Sequence, residues 1–197
     1  MDSQNKPEVA KFFNDRAKDW NSNIRPKNYE IARKMLNKLG VGKGDTVLDI
    51  AAGTGILWSF LKERGLKRYV AIDISDKMVE QFVDLYPCAD VRCLNFETDV
   101  ILETQFDYVI IFNSIPHFDN LGSVFRNAYE NLNSGGKFSI SHSTTREELK
   151  EHHRKIGYTT ENDPIPSNET LYLLSKEYGF KNIIIENSEY FFFSGIK

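Results

Sequence analysis

The 197-residue sequence predicts an α/β fold built on a Rossmann-like, doubly wound sheet that is mostly parallel and ends in an antiparallel strand. An apolar strand over residues 46–50 runs through a glycine-containing turn into a helical pattern that starts at Ile56. Residues 181–186 and 189–196, separated by Asn-Ser, predict a closing hairpin. The other predicted strands are 68–73, 90–94, 106–112 and 137–141.

Length and composition are those of a globular domain, with 41% hydrophobic and 27% charged residues. We expect one domain over residues 1–197, with a helical cover (1–40) ahead of an α/β core (41–197). The predicted helices of the cover are residues 5–20 and a second helix that Gly40 closes. A loop at 157–166 with two prolines is the predicted mobile segment.

The net charge of −3 gives no reason to expect a nucleic-acid partner. No apolar run approaches the ~20 residues of a membrane span, and the N-terminus lacks the apolar core of a secretion signal. Cys88 and Cys93 lack CxxC spacing, which favours reduced thiols over a metal site. These features predict a cytoplasmic protein without a metal, and they leave its oligomeric state open.

The turn after the first strand predicts a nucleotide-binding site. Asp49 stands near the strand end, and Gly53 and Gly55 follow, so backbone N–H groups can approach a ligand closely. A dinucleotide fingerprint would need glycine where Trp58 stands, and no Gly-Lys-Ser/Thr triplet marks a phosphate loop. A carboxylate beside the glycines suits a cationic ligand without phosphate. The alternative is an ordinary tight turn between a strand and a helix.

Asp73 ends the second strand, eighteen residues after Gly55, near the spacing at which an acid meets a nucleotide ribose. A carboxylate can accept hydrogen bonds from two vicinal hydroxyls. The alternative is a solvated acid at a strand end.

The segment Leu48-Asp49-Ile50-Ala51-Ala52-Gly53-Thr54-Gly55 resembles the first motif of class I S-adenosylmethionine (SAM)-dependent methyltransferases, and departs from it at Ala51, where the family often has glycine. The resemblance implies that the turn packs against the methionine part of SAM, that Asp49 faces its ammonium group directly or through water, and that Asp73 holds the ribose. It gives a cofactor-binding set of Asp49, Ala51, Gly53, Gly55, Asp73, Ile74, Met78, Asn95, Phe96 and Asn113.

Residues 12–20 look like the segment F-D-x-R-A-x-x-W of small-molecule methyltransferases related to the ubiquinone and menaquinone enzymes. In that branch the segment helps to close the active site. The resemblance implies a cover over the substrate, formed by Phe12, Phe13, Trp20 and Phe118, and these aromatic residues favour a partly apolar or aromatic acceptor. The alternative for Phe12 and Phe13 is that they only dock the helix on the core.

His117 and His142 end the fourth and fifth strands and are the candidate catalytic residues, since each could deprotonate or orient a methyl acceptor. A scaffold role is the alternative for both. His152 and His153 are adjacent on a predicted helix, so they lack the i, i+4 spacing of a metal pair.

The sequence therefore predicts a SAM-dependent methyltransferase that transfers a methyl group to a small-molecule acceptor by in-line displacement. A second hypothesis is a SAM- or S-adenosylhomocysteine-binding protein without transfer activity, serving as a sensor or partner subunit. A nicotinamide-dependent oxidoreductase is disfavoured by Trp58.

Overall fold

The computed structural model describes residues 8–98, 104–155 and 163–197. Their α-helices are α1 (Glu8–Asn14), α2 (Pro26–Leu39), α3 (Trp58–Leu61), α4 (Asp76–Leu85), α5 (Leu121–Asn131), α6 (Arg146–Lys155) and α7 (Asn168–Tyr178). Their strands are β1 (Thr46–Ile50), β2 (Arg68–Asp73), β3 (Val91–Cys93), β4 (Phe106–Phe112), β5 (Leu132–His142), β6 (Lys181–Asn187) and β7 (Phe191–Ile196). Two 3-10 helices, Ala17–Asn23 and Ile115–His117, complete the described elements.

The seven described strands form one sheet in the order β3-β2-β1-β4-β5-β7-β6. Strands β1 to β5 pair in parallel, and β7 runs antiparallel to both β5 and β6. The chain moves outward from β1 to β3 on one side and then continues with β4 on the other. Ligands bind at such a reversal of strand order, beyond the carboxyl ends of the strands. This confirms the predicted doubly wound fold and the closing hairpin.

Both faces of the sheet are buried, which explains why β1, β2 and β4 read as almost continuous apolar runs. Side chains alternate along β1, so Leu48 and Ile50 pack in the core on the α5 and α7 side, whereas Val47 packs with α2 and α4. By the same alternation, the side chain of Asp49 lies on the face of β1 that carries Val47.

The N-terminal cover differs from the single helix predicted over 5–20. Its described part is the short helix α1 followed by the 3-10 helix Ala17–Asn23, because the chain turns at residues 15–16. Residues 5–7 of that prediction, and residues 157–162 of the predicted mobile loop, lie outside the described ranges. The helix predicted from Ile56 begins at Trp58, and β5 begins at Leu132 rather than at Lys137. Among the described residues, no helix combines the length and apolar character that crossing a membrane requires.

Candidate functional site

The turn between β1 and α3 combines three residues with left-handed backbones: Ala51 (φ 53°), Gly53 (φ 55°) and Gly55 (φ 92°). Such a conformation costs an L-residue about 1–2 kcal/mol, so Ala51 carries local strain where the related motif has glycine. A Cβ on Gly55 would lie 2.7 Å from the Phe82 ring of α4. Gly55 therefore lets α4 pack closely against the turn. It does not line either of the two clefts that border the turn.

Asp73, at the end of β2, ties the turn to the sheet. Its Oδ2 accepts the backbone N–H of Gly53 at 2.8 Å, and its Oδ1 accepts that of Ser75 at 2.9 Å. Burial raises the pKa of this carboxyl above its usual range, and the backbone N–H donors act in the opposite direction. Each carboxylate oxygen has a second lone pair, so Asp73 can still accept hydroxyl groups from a sugar.

A first cleft opens beside Asp73 at the switch point of the sheet and encloses about 610 Å³, open solvent at its mouth included. Apolar side chains form one wall, Asp73 and Asn95 provide oxygen acceptors, and Ala51 and Gly53 provide backbone. An adenosyl group, which pairs a flat apolar ring with a polar sugar, fits this composition. The predicted residues that line the cleft are Phe13, Trp20, Ala51, Gly53, Asp73, Ile74, Met78, Asn95, Phe96, His117 and Phe118.

Asp49, which was expected to face the cofactor ammonium directly or through water, lies outside the lining of both clefts. It shares its face of β1 with Val47, one residue before the strand end, and its Oδ2 accepts the hydroxyl of Tyr69 at 2.7 Å. Burial raises the pKa of Asp49 to about 7, the Tyr69 hydrogen bond acts to lower it, and Asp73 raises it further. Strand alternation rather than proximity to the strand end decides the direction of this side chain.

The N-terminal cover is attached on both sides of the first cleft. Asn14 Nδ2 donates to Asp76 Oδ1 at 2.8 Å, and Asn14 Oδ1 accepts the hydroxyl of Ser75 at 2.5 Å. On the other side, the hydroxyl of Thr54 donates to Asn21 Oδ1 at 2.6 Å. These bonds hold the intervening Trp20 beside the glycine turn. Its Nε1 lies 3.7 Å from the point that a Cβ on Gly53 would occupy.

Phe12, predicted to be part of the substrate cover, lines neither cleft. Its side chain is 42% exposed, and the Arg16 guanidinium lies 3.6 Å above its ring. Phe13, one position along, points inward and packs edge-to-face on Trp20 and on His117. Helical geometry separates adjacent side chains by about 100°, so only one of the two phenylalanines reaches the cleft.

A second, larger cleft lies on the other side of the glycine turn and encloses about 1520 Å³, open solvent included. Trp20, Ala51, Gly53 and Ser114 line both clefts, which makes the two continuous with the turn between them. The second cleft is the more polar of the two, and most of its remaining wall comes from three places: Asn23 to Asn28 at the start of α2, Phe112 to Ser114, and His142 to His153.

Asn113 contributes to this second cleft rather than to the first. It has a left-handed backbone (φ 59°), and its Oδ1 accepts the backbone N–H of Ser143 at 2.6 Å. The bond joins the carboxyl ends of β4 and β5, so Asn113 shapes the floor of the second cleft.

His142 lines the second cleft and is almost fully buried. The backbone N–H of Thr144 donates to its Nδ1 at 3.2 Å, and the Thr144 hydroxyl lies 2.9 Å from the same atom. The neutral ring therefore carries its proton on Nε2. Burial lowers the pKa of His142 to about 4, and the neighbouring His117, His153, His152 and Lys27 act in the same direction. At neutral pH this ring is an uncharged hydrogen-bond donor.

His117 ends the 3-10 helix after β4 and lines the first cleft. Its ring packs edge-to-face on Phe13 with centroids 4.9 Å apart. Burial lowers its pKa to about 4, with a smaller contribution from His153. Both candidate bases are thus uncharged at neutral pH, and no sequence pattern predicts this burial.

Several residues of the site carry no motif that marks them in the sequence. Asn14 and Asn21 lie within or next to the segment that was singled out, yet only the fold shows that they anchor it. Glu97 lines the first cleft, and Ser114, which borders both, donates its hydroxyl to the carbonyl of Ala51 at 3.2 Å. No motif marks the cleft residues of α2 and α6, because separate parts of the chain bring them together. Within the described ranges, no cluster of three or more His, Cys, Asp or Glu side chains could hold a metal ion.

Comparisons with known proteins agree with this geometry. A family model described as a methyltransferase domain matches residues 48–140, from the middle of β1 through most of β5. Phosphoethanolamine N-methyltransferase 1 of Triticum aestivum is 24% identical over 168 residues, which are 81% of this chain and 33% of that protein. The chain thus spans about a third of the length of this curated relative.

Solved structures show the same fold. A putative S-adenosyl-L-methionine-dependent methyltransferase from Methanococcus maripaludis superposes with a TM-score of 0.75 at 21% identity, covering 100% of this chain and 97% of that one. A chain in the complex between the Haloferax volcanii Trm112 methyltransferase activator and a putative methyltransferase has a TM-score of 0.76 at 16% identity, covering 93% and 96%.

Proposed function

Because a model of a methyltransferase domain matches residues 48–140, we propose that this protein transfers a methyl group from SAM to a small-molecule acceptor by in-line displacement. The observation that supports this proposal is the junction of two clefts at one glycine turn. The first combines apolar side chains with oxygen acceptors, as adenosine does, and the second is larger, more polar than the first and open to an acceptor. Trp20, Ala51, Gly53 and Ser114 lie where the two meet.

The first cleft holds the cofactor in this proposal. Asp73 accepts the ribose hydroxyls while its two backbone donors keep the carboxylate oriented. Ile74, Met78 and Phe96 enclose the adenine, and Asn95 accepts from its amino group through its amide oxygen. When bound, SAM supplies a methyl group on a sulfonium centre. Gly53 and Ala51 bring backbone close to it, and Trp20 and Phe13 exclude water.

The two histidines have different roles in the proposal. His117 keeps a free imidazole lone pair at neutral pH and serves as the base where the acceptor must lose a proton, although its lowered pKa makes it a weak one. His142 orients the acceptor by donating from Nε2, because its Nδ1 already accepts from Thr144. Mutation of His117 should therefore lower kcat, and mutation of His142 should mainly raise KM.

The finer features of the proposal are a kinship with the ubiquinone and menaquinone enzymes, a cytoplasmic location, a single domain over residues 1–197 and no nucleic-acid partner. The segment from Phe12 to Trp20 supports the kinship, and the net charge of −3 argues against nucleic acid. The relative in Triticum aestivum is named for phosphoethanolamine, which supports a small acceptor. The Trm112 complex supports a different possibility, that a protein partner binds this chain and that it acts as a partner subunit.

Calorimetric titration with S-adenosylhomocysteine, followed by transfer of a labelled methyl group from SAM to quinols, phenols, amines and thiols, tests the proposal. We expect micromolar binding of S-adenosylhomocysteine, on the order of 1–100 μM, and label on at least one acceptor class. Absence of binding at millimolar concentrations would overturn it. Binding without label on any acceptor would favour the non-catalytic alternative.

Asp73→Asn is the matching variant. Asparagine has one acceptor oxygen in place of two, so one of the donors at Gly53 and Ser75 loses its partner. We expect the affinity for S-adenosylhomocysteine to fall about 30- to 100-fold. Asp84→Asn, on the exposed side of α4, is the control and should leave the affinity unchanged. An Asp73→Asn protein that folds and binds as tightly as wild type would remove Asp73 from the cofactor site.

A further inference from the structure

The second cleft has a charge distribution that narrows the class of acceptor, and the inference rests on the proposed function. Among the described residues that line it, Arg25 and Lys27 carry a positive charge and only Glu148 carries a negative one. Glu148 is already engaged, because its Oε2 lies 3.3 Å from Lys27 Nζ and accepts the backbone N–H of Thr145 at 3.2 Å. The cleft therefore offers little to a cationic molecule.

Arg25 is the stronger of the two cations for a ligand. Its side chain is exposed at the cleft, and no carboxylate among the described residues forms an ion pair with it. A guanidinium presents several N–H donors in one plane, which matches the oxygens of a phosphate or a carboxylate. An unpaired arginine at the wall of a binding cleft is thus available to an anionic group.

The N-terminal end of helix α2 lies at the second cleft, beside Arg25. Arg25 is the residue that caps it, without a side-chain hydrogen bond to the helix, and Pro26 occupies the first turn. No acidic residue stands in that turn. The N-terminal end of a helix carries partial positive charge, so this 14-residue helix adds to the attraction that Arg25 and Lys27 exert on an anion.

The end of β5 and helix α6 supply further polar side chains to the cleft. His142 carries its proton on Nε2, and Ser143, Thr144, His152 and His153 also line the cleft. The only aromatic carbocycles in the described lining are Trp20 and Phe112, since Phe13 and Phe118 belong to the first cleft. Apart from Trp20, the aromatic cover of the first cleft therefore does not extend along the wall of the second.

We propose that the methyl acceptor carries an anionic group, phosphate or carboxylate, which Arg25, Lys27 and the start of α2 bind while the reacting end of the molecule lies at the border with the first cleft. No other charged group of the described lining opposes this orientation once Glu148 is paired with Lys27. The reacting atom would then approach the glycine turn past Trp20 and Ser114, which line both clefts. Arg25 and Lys27 act as binding residues in this assignment and take no part in methyl transfer.

The test is a titration of the full chain, saturated with S-adenosylhomocysteine, with inorganic phosphate, acetate or choline as separate probes. NMR of the histidine rings follows binding, because three of the four histidines line this cleft. We expect phosphate or acetate to bind with a dissociation constant on the order of 1–10 mM and choline to bind at least about tenfold more weakly. Stronger binding of phosphate assigns a phosphorylated acceptor, and stronger binding of acetate assigns a carboxylate.

Three variants locate the effect. Arg25→Gln combined with Lys27→Gln should weaken the better anion about tenfold or more, whereas Glu148→Gln should strengthen it about two- to threefold. Arg33→Gln removes a positive charge from the exposed side of the same helix and should change nothing. The inference is overturned if neither anion shifts a histidine resonance at about 50 mM, if choline binds best, or if the double variant binds like wild type. Failure of S-adenosylhomocysteine to bind would instead remove the proposed function itself.

Discussion

The two clefts that meet at the glycine turn are built in different ways. The first takes its form from the backbone: Asp73 accepts the N–H groups of Gly53 and Ser75, and Gly55 lets α4 pack against the turn. The second takes its character from side chains that arrive from α2, the end of β5 and α6. The difference implies that the first cleft serves a fixed ligand, while the second can change its specificity by substitution without disturbing the fold.

Gly55→Ala should have the largest effect on the backbone turn that forms the first cleft. Its Cβ would meet the Phe82 ring at 2.7 Å on a backbone with φ 92°, so overpacking and conformational strain add together. We expect a loss of about 2–4 kcal/mol in the free energy of unfolding, measured by denaturant titration.

Gly44→Ala is the matched control for that variant. Gly44 has nearly the same backbone (φ 88°), but nothing lies within 4 Å of a Cβ placed there. It should lose only the cost of the backbone, about 1–2 kcal/mol. Equal losses in the two variants would show that the contact between Phe82 and the turn contributes nothing.

Asp49→Asn addresses the buried acid beneath the first cleft. The pKa of Asp49 is about 7 in the folded protein and about 4 in an unfolded chain. Between these values the folded state keeps a proton that the unfolded state has lost. The stabilisation from this group is therefore complete below pH ~4 and is lost as the pH rises through 7.

Relative to the Asp49→Asn variant, the wild type should lose about 2–3 kcal/mol between pH 5 and pH 8. Denaturant titrations at several pH values measure this difference. Asp84→Asn, at an exposed position of α4, shows how much a surface carboxyl contributes to the same curve. Superimposable pH curves for wild type and Asp49→Asn would mean that Asp49 is ionised in the folded protein.

The contrast between the clefts also explains what could be predicted from the sequence. Sequence motifs predicted the first cleft, because a glycine turn and the acid at the end of the next strand are local features. Neighbouring strands of a parallel sheet bring these two features together in a fixed way. Asp49 shows the limit of that reasoning, since its direction depends on the strand face it shares with Val47. Phe12 shows a second limit, because the start of α1 decides which phenylalanine points inward.

The arrangement of the second cleft could not be predicted from the sequence. Arg25 and Glu148 are separated by more than one hundred residues, and Lys27 meets Glu148 only because α2 and α6 face each other across the cleft. His117 and His142 were the candidate bases, but their pKa values depend on burial, and no local pattern encodes the burial of a side chain at the end of a strand. Convergence of distant segments, rather than any weakness of the motifs, hid this half of the site.

His142→Gln tests the second cleft and has the smallest expected effect. The free energy of unfolding should change with pH in the direction opposite to that expected for Asp49. Burial holds the pKa of His142 at about 4, whereas an unfolded histidine titrates near 6.5. As the pH falls below about 6.5, the unfolded state takes up a proton that the folded state refuses, so stability from the neutral ring is present above that pH and lost below it.

Relative to the Gln variant, the wild type should lose about 2 kcal/mol between pH 8 and pH 5, opposite in sign to the effect of Asp49. Glutamine can still accept the N–H of Thr144, so the pH-dependent part of the difference isolates the imidazole. His117→Gln should change with pH in the same direction, since burial lowers that pKa to about 4 as well. An NMR titration in which the His142 ring gains its proton near pH 6.5 would contradict its burial. It would also free Nδ1 to act as a donor and reopen the question of which histidine serves as the base.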